Sequence, residues 1–385
     1  MRRAVWLLGL GQCVLWGVLY YSFAVFLVPI EHALGLSQTL VAGAFSLGLL
    51  AMASSAPLIG RWLDRGHARS LILGGVGLAV FGLLVVSQAH GIAMLYTGWL
   101  LLGLAMAALL YESAFALIIR TVIDPVHRLK ALAAVTVMGG LASTIFLPTV
   151  ALAVEHVGWR STAQGCAVAV LLAGWVMERH VFPCLARTTA MGAPRQRGIN
   201  TRWPAHFALL VTTNGLATLA SMALTTLLIP LLQARGATPA LAATVLAALG
   251  VAQLPGRIWL LHGGLRLQGR AFVLAPLSLQ AIGLLSVALA PSFWVVSIGV
   301  AIFGLGWGLQ TLVRPWLVQA LYGVSDAGRW NGELARIQGY ARATGPIAVA
   351  ATAGWSSTPM VLAGMGGLLI LTLPLARRLP MLPTA

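Results

Sequence analysis

Apolar runs of about twenty residues or more follow one another along almost the whole chain, and they constrain the fold more than any motif does. They lie at about 4–30, 38–59, 70–89, 92–119, 131–154, 158–178, 204–233, 238–259, 270–290, 292–321, 331–353 and 357–376. Each is long enough to cross a bilayer as a helix. The runs are continuous and do not alternate as barrel strands would, which leaves helices as the spanning form. Composition excludes water as the main solvent: 8% of the 385 residues are charged, against about 25% in a soluble globular protein. The chain is therefore expected to be an all-α membrane protein of twelve transmembrane helices joined by short loops, with the lipid bilayer as its surroundings.

A formal charge of +16 raises nucleic acid as a partner, and its distribution argues against one. The basic residues sit singly or in small groups between apolar runs, not on one continuous patch. Nineteen of them fall at the two termini and after even-numbered spans, while Arg160 and Arg235 are the two in the opposite loops. The positive-inside rule then places both termini in the cytoplasm, here expected to be that of a bacterium, with the chain in its inner membrane. Met1-Arg2-Arg3 before an apolar run resembles a signal peptide. That run reaches Ile30 without a small-residue cleavage site, so it is expected to stay as the first helix.

The chain also reads as two related halves. Its longest hydrophilic interval, roughly Arg179 to Trp203, holds Pro183, Pro194, Gly198 and five arginines. This divides a first six-helix bundle (1–178) from a second (204–385), with 179–203 as a cytoplasmic linker. Phe26-Leu-Val-Pro29 followed by Gly35 recurs as Leu227-Leu-Ile-Pro230 followed by Gly236, roughly two hundred residues on. Gly60-Arg61-Trp62 is echoed by Gly256-Arg257-Ile258-Trp259, and Gly158-Trp159 by Gly354-Trp355. Three echoes in one order, all at corresponding span ends, indicate duplication and pseudo-symmetric halves. Six-span halves meeting around a midplane site are a transporter architecture.

The loop after the second span reads Gly60-Arg-Trp-Leu-Asp64-Arg65-Gly66-His-Ala-Arg69. It resembles the signature loop of the major facilitator superfamily, G-x-x-x-D-R-x-G-R-R, at the corresponding place. The second glycine comes one position early, and Ala68 replaces one of the usual basic pair. Gly11-Gln12…Gly17-Val-Leu-Tyr20-Tyr21-Ser22-Phe23, Tyr111-Glu112-Ser-Ala-Phe115-Ala and Gly139-Gly140…Pro148…Gly158-Trp159-Arg160 are similar to bacterial permeases of that family. That group includes monocarboxylate-type and arsenite or drug efflux proteins. The fifth span lacks the G-P-x-x-G-G pattern of drug/proton antiporters. The resemblance implies a cytoplasmic latch formed by Gly60, Asp64, Arg65 and Arg69. Asp64 would face the N-terminus of a helix from the other half, expected to be the eleventh span, where the dipole and free N–H groups favour a carboxylate. Arg120 is a further expected partner of Asp64. The plainer reading makes these arginines topology determinants only.

Ionisable residues inside spans are costly and usually functional. Glu112 lies in the fourth span, Arg314 in the tenth, and Arg336 and Arg342 in the eleventh. Glu112 is read either as the protonatable coupling group, since burial favours a neutral carboxylic acid, or as half of a structural bridge to Arg336 or Arg120. Arg314 and Arg342 are candidates to bind an anion, whereas Arg336 is expected to neutralise Glu333 three residues earlier. Gln12, Trp16 and Tyr20 step by four along one face of the first span, with Tyr21 adjacent. Gln338, Gln310 and Asn214 are amides in apolar runs, as fit for helix packing as for substrate contact. Trp159 and Trp203 read as interfacial anchors.

The eight histidines form no metal-ligating or catalytic cluster, and Cys13, Cys166 and Cys184 are widely spaced. No cofactor, metal or nucleotide-binding motif is expected, and no enzyme. The expected function is secondary active transport by alternating access, coupled most simply to protons, of a small organic anion, because the intramembrane excess of charge is basic. Efflux of a drug or of an arsenite-like metalloid is the alternative, with Cys13 and Cys166 as thiols inside spans. Nothing in the sequence calls for an oligomer, so a monomer is expected.

Overall fold

The computed structural model describes residues 2–186, 205–261, 270–353 and 357–379, and helices account for nearly all of them. Trp203, Gly354, Trp355 and most of the expected 179–203 linker lie outside the described residues. The chain divides into two compact units, the described parts of Met1–Gln196 with Tyr322–Gly339, and of Arg197–Leu321 with Tyr340–Ala385.

In the first unit α1 (Arg2–Trp16) passes through a turn of π-helix, Gly17–Tyr21, into α2 (Ser22–Leu34). Such single π turns insert one extra residue and re-aim the side chains around them. α2 ends on Gly35 at φ 62°, a left-handed cap that glycine adopts without strain. The Ser37 hydroxyl then accepts from the Leu40 N–H at 3.4 Å and starts α3 (Gln38–Asp64). After α4 (Ala68–Ser87), the fourth span comes in two pieces, α5 (Ile92–Leu109) and α6 (Tyr111–Thr121), parted at Leu110, whose ψ is −165°. Asp124 caps α7 (Pro125–Gly140), and α8 (Ala142–Val176) contains Gly158 at φ 77°, where the direction changes. A second π turn, Met177–Val181, leads into α9 (Phe182–Ala186).

The second unit contains α10 (Ala205–Ala234), α11 (Pro239–Ala252), α12 (Leu254–Leu261), α13 (Arg270–Leu289) and α15 (Thr358–Arg377). It also holds both ends of α14 (Phe293–Ala353), which breaks at Gly323, φ 76°. The first echo seen in the sequence is also an echo in conformation. Gly236 is left-handed at φ 85°, and the Thr238 hydroxyl accepts from the Leu241 N–H at 3.3 Å, as Gly35 and Ser37 do in the first unit.

Ten stretches of the described residues are long and apolar enough to cross a membrane. The twelve expected runs differ from these at two places. Val126–Cys184 counts once although Gly158 divides it, and the helix beyond Gly323 is too polar to count. Large apolar side chains lie outside as well as inside: Phe81, Trp175, Trp294 and Leu371 are exposed while Trp99, Phe26, Phe207 and Phe303 are fully buried. A lipid-solvated surface has this character, since hydrocarbon imposes no penalty on apolar side chains.

Candidate functional site

Two places in the first unit and one in the second gather the polar residues of the spans. The first is the break between α5 and α6. Here Gln12 is buried, 1% exposed, and its Nε2 donates to the Leu109 carbonyl at 2.7 Å. Leu109 is the last residue of α5, whose final turn closes with the Leu110 N–H on the Met106 carbonyl at 3.0 Å, while the Ser113 N–H turns to the Leu110 oxygen at 3.1 Å. A bond to a carbonyl needs the amide nitrogen, so it fixes which way the Gln12 amide faces. Among the described residues its Oε1 has no hydrogen-bond partner, and neither do the Trp16 Nε1 and the Ser113 Oγ, all three atoms being buried.

Aromatic rings surround these atoms. Trp16 lies 4.9 Å from Tyr111, 5.3 Å from Tyr20 and 6.3 Å from Tyr21 between centroids. Tyr20 meets Phe45 at 5.4 Å, and Tyr111 stacks on Phe115 at 5.2 Å. The π turn at Gly17–Tyr21 sets Tyr20 and Tyr21 side by side, their rings 5.3 Å apart. Glu112 is half-buried in the first turn of α6, where a helix favours negative charge. Gln12, Trp16, Tyr20 and Tyr21 are thus brought together, with Tyr111 and Glu112 next to them. Irregular backbone at membrane depth is tolerated only where protein buries it or water lines it, so two irregular spans against each other mark this place.

The second place surrounds Asp64. Its carboxylate accepts from the Gly328 N–H at 2.8 Å and the Arg329 N–H at 2.6 Å, in the helix beyond Gly323. The approach depends on small residues. A Cβ on Gly328 would lie 2.5 Å from Asp64 Oδ1, and one on Gly60 would run into the Gly328 carbonyl. Arg120, expected from sequence as a partner of Asp64, donates to the Leu63 carbonyl at 2.8 Å and to the Asp64 carbonyl, so it holds the backbone of α3 there while its charge also attracts the carboxylate. Arg69 grips Glu178 with two nitrogens, the Nε to Oε2 distance being 3.1 Å. Arg61 reaches Glu333 at 3.8 Å, and Arg336 pairs with Glu333 at 2.7 Å, the pairing the i, i+3 spacing suggests. Arg65 is exposed. Just outside the spans, Asp124 accepts from the His127 N–H and meets its ring nitrogen at 2.6 Å, contacts that hold its carboxyl below the usual range.

In the second unit the Gln310 Nε2 donates to Asn214 Oδ1 at 2.8 Å. One turn further along α14, on the same face, Arg314 is buried at 9% exposed. Arg257 is also buried and donates to Gln253 Oε1 at 2.9 Å, in the step between α11 and α12. Arg342 is half-buried in this unit, and Gln338 is buried in the first. Trp159 is buried under the Arg160 guanidinium at 4.3 Å, not spread at an interface.

Several of these partners were not singled out from sequence. Gly328 and Gly332 form a G-x-x-x-G step, a spacing known for close helix approach, and a Cβ on Gly332 would strike the Ala56 carbonyl. That signal was present and readable. Arg257 looks from sequence like one more loop arginine. The break at Leu110 has no glycine or proline to announce it.

A family model for the Major Facilitator Superfamily matches residues 8–313. The chain belongs to that superfamily. Three solved structures share its fold across nearly the full length of both chains. The human organic anion transporter MFSD10 (TETRAN) has a TM-score of 0.74 at 16% identity, covering 97% of this chain and 99% of that one. The proton:xylose symporter XylE has a TM-score of 0.79 at 11% identity, covering 98% and 95%. The Escherichia coli fucose:proton symporter FucP has a TM-score of 0.66 at 15% identity, covering 98% of each. No curated protein matches the sequence. This superfamily member is a multi-pass membrane transporter of small molecules and not an enzyme.

Proposed function

We propose that this transporter moves a small organic anion across the bacterial inner membrane by alternating access, coupled to protons, as a monomer with both termini in the cytoplasm. The observation that carries the reading is Arg314, a guanidinium buried in a spanning helix one turn from the Gln310–Asn214 amide pair. A guanidinium presents a planar fork of donors that matches a carboxylate, and in a water-poor site such a charge-assisted pair is strong. Arg342 adds a second positive charge to the spans, whereas Arg336 is committed to Glu333. MFSD10, whose fold this chain shares, is described as an organic anion transporter.

Glu112 serves as the proton-coupling group in this reading. Its half-buried place in the first turn of α6, next to Tyr111, supports a carboxyl that exchanges a proton near the anion's path. The Asp64 junction serves as the cytoplasmic latch: two N–H donors and a glycine-lined approach make a contact that forms or breaks as a unit. Residues 1–178 and 204–385 are the duplicated bundles, joined by a cytoplasmic linker.

The aromatic rings around Trp16 favour a second reading, efflux of a toxic apolar compound, because such faces receive flat or cationic molecules. Uptake and counterflow by the purified protein in liposomes separate the two. The panel is monocarboxylates, arsenite and cationic dyes, under an imposed pH gradient. Anion flux driven by the proton gradient is expected; dye or arsenite flux without anion flux establishes the second reading instead.

A further inference from the structure

We infer that the break in the fourth span is a hydroxyl-recognising subsite, so that the transported anion carries a hydroxyl group as well as its charge. The inference deepens the anion reading above and rests on it for the charge alone.

The orphaned atoms state which chemistry they need. Gln12 Oε1 is an acceptor and nothing else, because the amide nitrogen is committed to the Leu109 carbonyl at 2.7 Å. Trp16 Nε1 is a donor and nothing else. Gln12 and Trp16 stand one helical turn apart on the same side of the first span; Gln12 reaches Leu109 on one side of the break and Trp16 reaches Tyr111 on the other. Burying a polar atom without a partner is expensive, and lipid offers no water to relieve it. Two such atoms of opposite type, on residues four apart on one helix face, ask for a single group that both gives and takes a hydrogen bond. A hydroxyl does this: its proton goes to Gln12 Oε1, and a lone pair receives the Trp16 N–H. An ionised carboxylate has no proton for Gln12, and an ammonium has no lone pair for Trp16. The Ser113 hydroxyl, fully buried and also without a partner, adds an atom able to serve in either sense.

Selectivity follows from this geometry. A site built around hydrogen bonds rejects an analogue lacking the hydroxyl strongly, because its own buried groups stay unpaired. The surrounding rings, Trp16, Tyr20 and Tyr111, then cover the carbon skeleton.

The test measures binding to the detergent-purified full chain with matched pairs: lactate against propionate, and 3-hydroxybutyrate against butyrate. Glycerol and xylitol serve as uncharged hydroxyl compounds. Wild type is expected to bind the hydroxylated member of at least one pair about tenfold or more tightly. Gln12→Leu and Trp16→Phe should each reduce that ratio to about twofold or less. Trp16→Phe keeps an aromatic ring in place and removes the indole N–H, so it decides the matter if Gln12→Leu does not fold. Equal binding of both members by wild type overturns the inference, as does a ratio unchanged in Trp16→Phe. Binding of propionate or butyrate that rises to match the hydroxylated member as pH falls to about 4 and below, where the acids take up a proton, assigns the subsite to a carboxylic acid and also overturns it. If the polyols bind in a Trp16-dependent way and no anion does, the hydroxyl subsite stands and the anion reading falls. If nothing hydroxylated binds, the subsite falls whatever the anions do.

Discussion

The Asp64 junction and the break at Leu110 are both polar places in the first unit, and they are built in opposite ways. At the junction the Asp64 carboxylate itself is satisfied by two backbone N–H groups, with Arg120 on two carbonyls, Arg69 on Glu178 and Arg336 on Glu333 around it. Asn331 Oδ1, in the helix that carries Gly328, is nevertheless buried without a partner among the described residues. At the break Gln12, Trp16 and Ser113 each keep a buried atom unpaired. Satisfied networks hold a conformation, whereas unsatisfied ones cost stability that a ligand can return. The contrast separates a region that fastens the fold from one suited to receive a substrate.

The largest expected effect lies beside the break. Glu112→Gln should reduce proton-driven uptake by about a hundredfold, the lower end of a general acid–base contribution, while exchange in the absence of a pH gradient continues. If liposome assays show both processes persisting, proton coupling lies elsewhere.

At the junction, Gly328→Ala should lower stability by about 1–3 kcal/mol, the usual cost of overpacking. Asp64→Asn should speed amide hydrogen exchange at Gly328 and Arg329 by about tenfold or more, as hydrogen bonds to a charged acceptor are lost. Thermal unfolding in detergent reads the first, and exchange mass spectrometry the second. Wild-type protection in Asp64→Asn would show that the junction does not fasten that helix.

Ser113→Ala should sharpen the contrast by leaving thermal stability within about 1 kcal/mol of wild type, or raising it, because an unpaired buried hydroxyl is removed. A loss comparable to Gly328→Ala would make the break as structural as the junction. The smallest effect belongs to Asp124. Its carboxyl is held below the usual range by the His127 contacts, so its contribution is present above its unfolded value. It fades as pH falls below about 4. Asp124→Ala should erase that shallow acid-side drop in melting temperature, and a full drop remaining in the variant would assign it to other carboxylates.

The fold was readable because hydrocarbon thickness imposes a length, and twelve runs met it. The echo of Pro29–Gly35 in Pro230–Gly236 was readable because both end in a left-handed turn that selects glycine. Asp64 was readable through its neighbours in the loop, and the close approach at its partner Gly328 and at Gly332 through a four-residue glycine spacing. Leu110 was not. No breaker precedes Tyr111, and that interruption is held by packing and by Gln12 from another span, which no local pattern encodes. The role of Arg257 was hidden for a related reason: from sequence its burial cannot be told from the exposure of a loop arginine.

The most direct test of the central claim is counterflow of the best organic anion in liposomes with Arg314→Gln and Arg314→Lys. Loss of a charge-assisted contact of about 1.5–3 kcal/mol should slow flux about tenfold or more in the first. The lysine variant should not restore it, since an ammonium lacks the guanidinium fork. Wild-type rates in Arg314→Gln would contradict the claim that this buried arginine binds the transported anion.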